Sequence, residues 1–295
     1  MKKKKNSFKV DFIGAGVDRA GTSWIYKCLE EHPEICFSKP KETHFFKQDY
    51  KKGLKYYQSY FKHCSGEKIK GEFSPTYIYH QGVDALIKKH FPEVKILICL
   101  RNPIEKLYSR YFFRKSKGLH PNLTFKESIT KYPQSIERSR YYNYLKNWLK
   151  LFIPEKILVL IYEDIQKNPL KFIQDIYSFL EVNPEFVPSN LCSIINPSTK
   201  KLFYFSFLRK YNLNKAKKNV KKYFPVGKTL IKLLKINLLV NFLIKKNIKD
   251  SGKVNLKPIS KPPISAETRK YLQKVYQLDI KKLEKLLNRD LSFWR

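Results

Sequence analysis

Ile13-Gly-Ala-Gly-Val-Asp-Arg-Ala-Gly-Thr-Ser-Trp-Ile25 follows directly on the apolar run Phe8-Lys-Val-Asp-Phe12. A short strand that turns through glycines into a helix opening on hydroxyl residues is a phosphate cradle. Glycine lets the backbone approach an anion, and the first helical N–H groups point at it with the positive end of the helix dipole. Gly16 and Gly21 have the Gly-x-x-x-x-Gly spacing of a P-loop, with Ser23 at its Ser/Thr position. Thr22 stands where an NTPase loop carries lysine. The site is therefore suited to hold phosphates and poorly equipped for ATP hydrolysis.

The rest of the chain alternates strands with helices. Apolar runs at 8–14, 34–37, 68–73, 94–100 and 156–162 predict strands, and Val94-Lys-Ile-Leu-Ile-Cys-Leu100 is the clearest of them. Helices are predicted at 22–31, 53–62, 82–90 and about 140–152, after Asn102-Pro103 and Asn168-Pro169, and at 265–288. This order predicts an α/β fold, a P-loop-like, doubly wound parallel sheet flanked by helices with extra basic C-terminal helices. Ligands bind beyond the carboxyl ends of such strands, where both the glycine loop and Arg101 sit. Residues 1–7 read as a basic N-terminal tail and 8–295 as a single domain. Within it, 200–250 is a basic helical insertion, Ser251 to Pro263 a linker, and 264–295 a C-terminal helix and packed tail.

Lys and Arg number 60 against 25 Asp and Glu, a formal net charge of +35. That favours an anionic partner or, equally, a solvated lysine-rich surface. Residues 200–250 read as amphipathic helices packed on the core, with peripheral contact to a membrane surface or polyanion as the alternative. No nucleic-acid partner is expected. Cys28, Cys36, Cys64, Cys99 and Cys192 are scattered without a Cys-x-x-Cys pair, so a reducing compartment, a cytoplasmic location and no metal site are expected. The lysines at the start precede only a short strand-like run, not a signal peptide, and Leu230–Ile244 is too short and charged to span a bilayer.

With these residues in view, the chain resembles the sulfotransferases that use 3′-phosphoadenosine 5′-phosphosulfate (PAPS), and within them the carbohydrate branch with its heparan-sulfate-type and bacterial members. Three segments carry the likeness. Gly16-Val-Asp-Arg-Ala-Gly-Thr-Ser23 is similar to the loop that holds the 5′-phosphosulfate, with Arg19 where the family usually has lysine. The resemblance makes Arg19 a catalytic cation for the charge that builds on the bridging oxygen. Ala20, Gly21, Thr22, Ser23 and Trp24 complete the cofactor-binding loop. Leu100-Arg101-Asn-Pro-Ile-Glu-Lys-Leu-Tyr-Ser109 resembles the 3′-phosphate site, an Arg at a strand end and a Ser about two helical turns on.

Lys39-Pro-Lys-Glu-Thr-His-Phe-Phe46 resembles the segment of glucosaminyl sulfotransferases whose glutamate is the proposed general base. Glu42 takes that role by resemblance, with His44 as the rival base. Lys41 is placed to bind sulfonate or acceptor, with surface charge as the alternative. Glu72-Phe-Ser-Pro-Thr-Tyr77 is similar to a Glu-Lys-Ser-Pro-x-Tyr segment, but Phe73 replaces the lysine. Tyr77 reads as either a wall of the acceptor cleft or core. Glu163-Asp164 reads as a helix-start pair, and Asn196-Pro-Ser198 matches a family element of open role. The resemblance implies PAPS as co-substrate, a carbohydrate-type acceptor, in-line transfer and no metal. Two rivals stay open: a P-loop kinase or phosphotransferase, and a non-catalytic polyanion- or membrane-binding protein with a degenerate nucleotide fold.

Overall fold

The computed structural model describes residues 8–119, 122–191 and 261–295. The basic tail, Cys192, Asn196-Pro-Ser198, the 200–250 helices and all but the end of the linker lie outside them. Five strands, β1 (Phe12–Gly16), β2 (Ile35–Phe37), β3 (Ile69–Phe73), β4 (Lys95–Leu100) and β5 (Ile157–Ile161), form one sheet in the order β2-β3-β1-β4-β5. Every neighbouring pair is parallel. The apolar runs are nearly continuous because helices cover both faces of such a sheet.

Strand β1 starts at Phe12 rather than Phe8 and continues through its glycines to Gly16. Gly14 is needed there. A Cβ on it would stand 2.2 Å from Cδ1 of Phe73, whose ring lies across the neighbouring strand. Phe73 is 2% exposed and packs with Phe37 and Tyr26. At the position where the resembled segment carries lysine, this chain therefore has a core ring.

Among the described residues the α-helices are α1 (Thr22–Glu30), α2 (Leu54–Ser59), α3 (Val83–His90), α4 (Pro103–Ser116), α5 (Phe125–Lys131), α6 (Gln134–Glu137), α7 (Tyr142–Leu151), α8 (Glu163–Lys167), α9 (Pro169–Leu180) and α10 (Ala266–Leu287). Helix α9 buries Phe172, Ile173, Ile176, Tyr177 and Leu180 at helical spacing. It meets α1 through Trp24 against Phe172 and through Tyr177 Oη donating to the Cys28 carbonyl at 3.1 Å. Helix α5 has a full capping box between Thr124 and Glu127. Among the described residues, no helix is long and apolar enough to cross a membrane.

Cys36 and Cys64 form a disulfide, while Cys28 and Cys99 are free and buried. The bridge corrects the reading of the cysteines as scattered and unpaired, and removes its ground for a reducing compartment. The spacing alone hides it, because β2 and the tail of α2 are brought together only in the fold.

The chain divides into two compact units. One comprises Met1–Tyr111, Asn122–Pro197 and Pro263–Arg295, the other Phe112–Pro121 and Ser198–Pro262. The sheet and every candidate site residue belong to the first. In it β1 has β3 on one side and β4 on the other, so crossovers diverge at β1 and open a crevice at its carboxyl end.

Candidate active site

The loop after β1 turns at Gly21, which caps α1 with φ +75° and whose carbonyl accepts Trp24 N at 2.8 Å and Ile25 N at 3.0 Å. A Cβ there would be strained and would also meet the Tyr162 ring at 2.8 Å. Arg19 is left-handed too, at φ 68°, a conformation that costs a non-glycine residue on the order of 1 kcal/mol. Val17 N donates to the Cys99 carbonyl at 2.9 Å and ties the loop to β4. Ala20 and Thr22 are buried, and Ser23 is partly exposed. Trp24 turns its indole into the core, where Nε1 donates to the Leu191 carbonyl at 3.2 Å. Its ring packs in the core, on the helix that the cofactor-binding loop opens.

Arg101 leaves the end of β4 and folds back on this loop. Its Nη1 donates to the Arg19 carbonyl at 3.0 Å, its guanidinium lies 4.3 Å from the Tyr162 ring centroid, and its Nε is buried without a partner. Ser109 is 3% exposed, and its Oγ accepts from Arg19 Nε at 3.2 Å. The glycine loop and the Arg101–Ser109 pair, far apart in sequence, therefore meet at one point. Burial, followed by repulsion from Arg101 and Arg110 and against attraction from Asp18, lowers the Arg19 guanidinium below its ordinary pKa. An incoming anion would relieve that repulsion.

A layer behind the pair fixes it. Asn102 Oδ1 caps α4, accepting from Ile104 N at 3.0 Å and Glu105 N at 3.3 Å. Glu163 accepts from Asn102 N at 2.9 Å with one oxygen and from Trp294 Nε1 at 3.2 Å with the other. Tyr141 Oη donates to the Arg101 carbonyl at 2.9 Å. Glu163 is thus a brace for the Arg101 turn.

Sequence reasoning misses the group beside Arg19. Asp18 accepts from Tyr79 Oη at 3.0 Å, pairs closely with Arg110, and lies 3.7 Å from the fully buried Lys106 Nζ. Burial would raise the Asp18 pKa, but Lys106, Arg110 and the Tyr79 hydroxyl hold it below the ordinary value. Burial brings Lys106 down to about 8 against the pull of Asp18. Nothing in the motif spacing marks Asp18, because its partners come from α4 and the turn after β3.

The candidate base lies on the segment that follows β2. Glu42 and His44 are both left-handed, at φ 63° and 51°. Lys41 Nζ stands 3.5 Å from one Glu42 oxygen and His44 Nε2 stands 3.4 Å from the other. Glu42 keeps 40% of its side-chain surface exposed, so its carboxylate is open to an incoming group. Burial lowers the His44 pKa, against the attraction of Glu42, which keeps the imidazole neutral at pH 7. Burial also lowers Lys41, whose ammonium lies 5.4 Å from the Tyr26 ring centroid on α1. Tyr77 is fully buried, so it belongs to the core and not to the wall of an acceptor cleft. Among the described residues one His/Cys group is close enough to share a cation, Cys36, His63 and Cys64, and its two sulfurs are bonded to each other.

The model of the sulfotransferase domain matches residues 9–229. The chain belongs to this family. Its relatives include the human heparan sulfate glucosamine 3-O-sulfotransferase 5, 30% identical over 192 residues that cover 60% of this chain and 54% of that protein. The bovine bifunctional heparan sulfate N-deacetylase/N-sulfotransferase 2 is 27% identical over 194 residues, 59% of this chain and 22% of that protein. The chain thus spans about half the length of the first of these relatives. A sulfotransferase from Alicyclobacillus acidocaldarius shares the fold with a TM-score of 0.68 and 22% identity, covering 98% of this chain and 99% of that one. The parallel sheet of this sulfotransferase is accordingly the family's fold.

Proposed function

We propose that this sulfotransferase moves a sulfonyl group from PAPS to a hydroxyl or amine of a carbohydrate acceptor. The observation that carries the reading is the meeting of two phosphate-type motifs: Arg19 Nε reaches Ser109 Oγ at 3.2 Å and Arg101 Nη1 reaches the Arg19 carbonyl at 3.0 Å. A nucleotide phosphorylated at two positions needs two anion sites within its own span. The buried, unpartnered Arg101 Nε fits such a ligand, since a guanidinium grips phosphate through several N–H groups. When bound, PAPS supplies an activated sulfonyl group on a phosphate leaving group.

In this reading the acceptor oxygen or nitrogen forms a bond to sulfur as the bridging S–O bond breaks. The electron pair leaves on the 5′-phosphate of the bisphosphate product, and the acceptor proton passes to a Glu42 oxygen. Arg19 and the loop N–H groups meet the charge that develops on the bridging oxygen. Arg101 and Ser109 orient the donor for in-line attack, so catalysis is mostly positioning and charge stabilisation. His44, neutral, orients the carboxylate from one side and Lys41 from the other. A glycan acceptor is favoured by the Lys-Glu-Thr-His-Phe-Phe segment and by the heparan sulfate names of the relatives.

Thermal unfolding with nucleotides tests the reading. The bisphosphate product at a hundredfold excess over its Kd adds about 2.7 kcal/mol and should raise the Tm well above the effect of AMP or of ATP with Mg²⁺. Greater stabilisation by ATP with Mg²⁺ would favour a phosphotransferase, and stabilisation by heparin or anionic lipid alone a binding protein.

A further inference from the structure

Glu42 and His44 hold left-handed backbone on either side of Thr43, and something outside the segment must keep them there. Glu72, on β3 and 0% exposed, is the centre of what does. One of its oxygens accepts from Thr43 Oγ1 in a close contact and from Ser74 Oγ at 3.0 Å. The other accepts from Tyr57 Oη at 2.8 Å and Tyr77 Oη at 3.2 Å. Four hydroxyls thus fill the roughly four acceptor positions of a carboxylate.

Three of these hydroxyls do a second thing. Ser74 Oγ accepts from His44 N at 3.1 Å, Thr43 Oγ1 from Phe45 N at 3.2 Å, and Tyr77 Oη from Phe46 N at 3.2 Å. Three consecutive backbone N–H groups end on three hydroxyls whose own protons go to one buried carboxylate. A hydroxyl that gives its proton to Glu72 turns its lone pairs outward, to the backbone. The fourth hydroxyl differs: among the described residues, that of Tyr57 takes no backbone N–H from the segment, and the Tyr57 ring stacks on Phe45 at 4.6 Å.

We propose that Glu72 is a positioning residue, which acts through Thr43, Ser74 and Tyr77 to hold the bend that presents Glu42 and His44. The inference rests on the reading of Glu42 as the base. Burial raises the Glu72 pKa, against the pull of its four hydroxyl donors.

The test uses the full-length protein with the bisphosphate nucleotide bound. Amide exchange over residues 43–46 is compared for Glu72→Gln, Thr43→Val, Thr43→Ser, Tyr77→Phe and Tyr57→Phe. Glu72→Gln, Thr43→Val and Tyr77→Phe should speed exchange about tenfold or more, Thr43→Ser and Tyr57→Phe less than about twofold, all with nucleotide affinity within about twofold of wild type. Sulfate transfer from labelled PAPS to partly desulfated heparin should fall in kcat, not in KM for PAPS, in the same three variants and survive in the other two. Equal effects of Tyr57→Phe and Tyr77→Phe would make the cluster ordinary core packing and overturn the proposal. Faster exchange with undiminished kcat would overturn it as well. Glu42→Gln and His44→Gln in the same series keep the two readings apart. A harmless Glu42→Gln sinks the base assignment, while the exchange pattern still decides whether Glu72 holds the bend.

Discussion

The phosphate side and the carboxylate side both lie beyond the carboxyl ends of parallel strands and are built in different ways. Arg101 and Ser109 are delivered by a strand end and a point two turns along the following helix, and Arg19 by the loop after β1, which backbone bonds such as Val17 N to Cys99 O tie down. Glu42 and His44 sit between β2 and an irregular helical turn at Phe45–Asp49. They are held from β3 by side-chain hydroxyls and one buried carboxylate. Coulomb attraction falls off slowly with distance, so a phosphate site tolerates small shifts. A proton acceptor must sit within hydrogen-bond reach and correctly aimed. Both sides contain left-handed residues, but the first draws mainly on strand ends and helix starts, whereas the second takes a bend propped by side chains from β3.

The largest expected effect belongs to the carboxylate side. Glu42→Gln keeps shape and removes basicity, and turnover should fall by about 10² to 10⁴ with nucleotide affinity within about twofold. Turnover of labelled PAPS on partly desulfated heparin measures the first and calorimetry the second. A comparable loss of nucleotide affinity would break the division into two sides. Loss of turnover in His44→Gln with an unaffected Glu42→Gln would move the base to the imidazole.

The disulfide sharpens the same division, because the loop it closes, 28 residues long, carries Glu42 and leaves Arg19, Arg101 and Ser109 outside. Cys36→Ser with Cys64→Ser should cost about 3.5 kcal/mol of stability by the chain-entropy argument, read as a lower Tm and denaturation midpoint. Nucleotide binding should persist. A bisphosphate affinity that collapses with the bridge would show that the phosphate side leans on the other after all.

On the phosphate side, Arg101→Ala removes a charged donor whose hydrogen bonds contribute about 1.5–3 kcal/mol, equivalent to roughly 10- to 100-fold weaker binding of the bisphosphate. Calorimetry should find Arg101→Lys between the two, since lysine keeps the charge and loses the fork. Turnover at saturating PAPS should suffer far less than in Glu42→Gln. An equal fall would mean that Arg101 also acts in the transition state.

This contrast also governs what can be read from the chain. Gly16 to Ser23 and Leu100 to Ser109 are contiguous, and their spacing maps directly onto strand, turn and helix, so the sheet and the phosphate side are visible as strings. The bend at Glu42 and His44 is not, because neither residue type announces a positive φ and the prop lies some thirty residues downstream on β3. Tyr77 reads equally as cleft wall or core, and only the fold, which leaves it 0% exposed, decides. The Cys36–Cys64 pairing and the Asp18 cluster are likewise products of tertiary proximity. Helix α5 is a different lesson: its Thr124-x-x-Glu127 capping box is present in the sequence as a plain start signal.

The smallest effect probes the support behind the phosphate side. Asp279 on α10 accepts from Tyr141 N at 2.9 Å and Tyr142 N at 3.3 Å at the start of α7, and Tyr141 Oη in turn holds the Arg101 carbonyl. Burial raises the Asp279 pKa to about 6, against these two N–H donors and the charges of Arg140 and Lys282. A carboxyl raised on folding binds its proton more tightly in the native state, so stability falls as pH rises from the unfolded value through about 6. Asp279→Asn carries no such charge. Its Tm relative to wild type should therefore climb between pH 4 and pH 7, by no more than about 3 kcal/mol in stability, and level off above. Bisphosphate affinity should follow the same pH curve in both proteins, set by the ligand's own phosphates with a second pKa of about 6, because caps and strand ends hold Arg101 whichever form Asp279 takes. If instead the two curves diverge near pH 6, the phosphate side leans on a remote carboxyl through Tyr141 as Glu42 leans on Glu72, and the two sides are built alike.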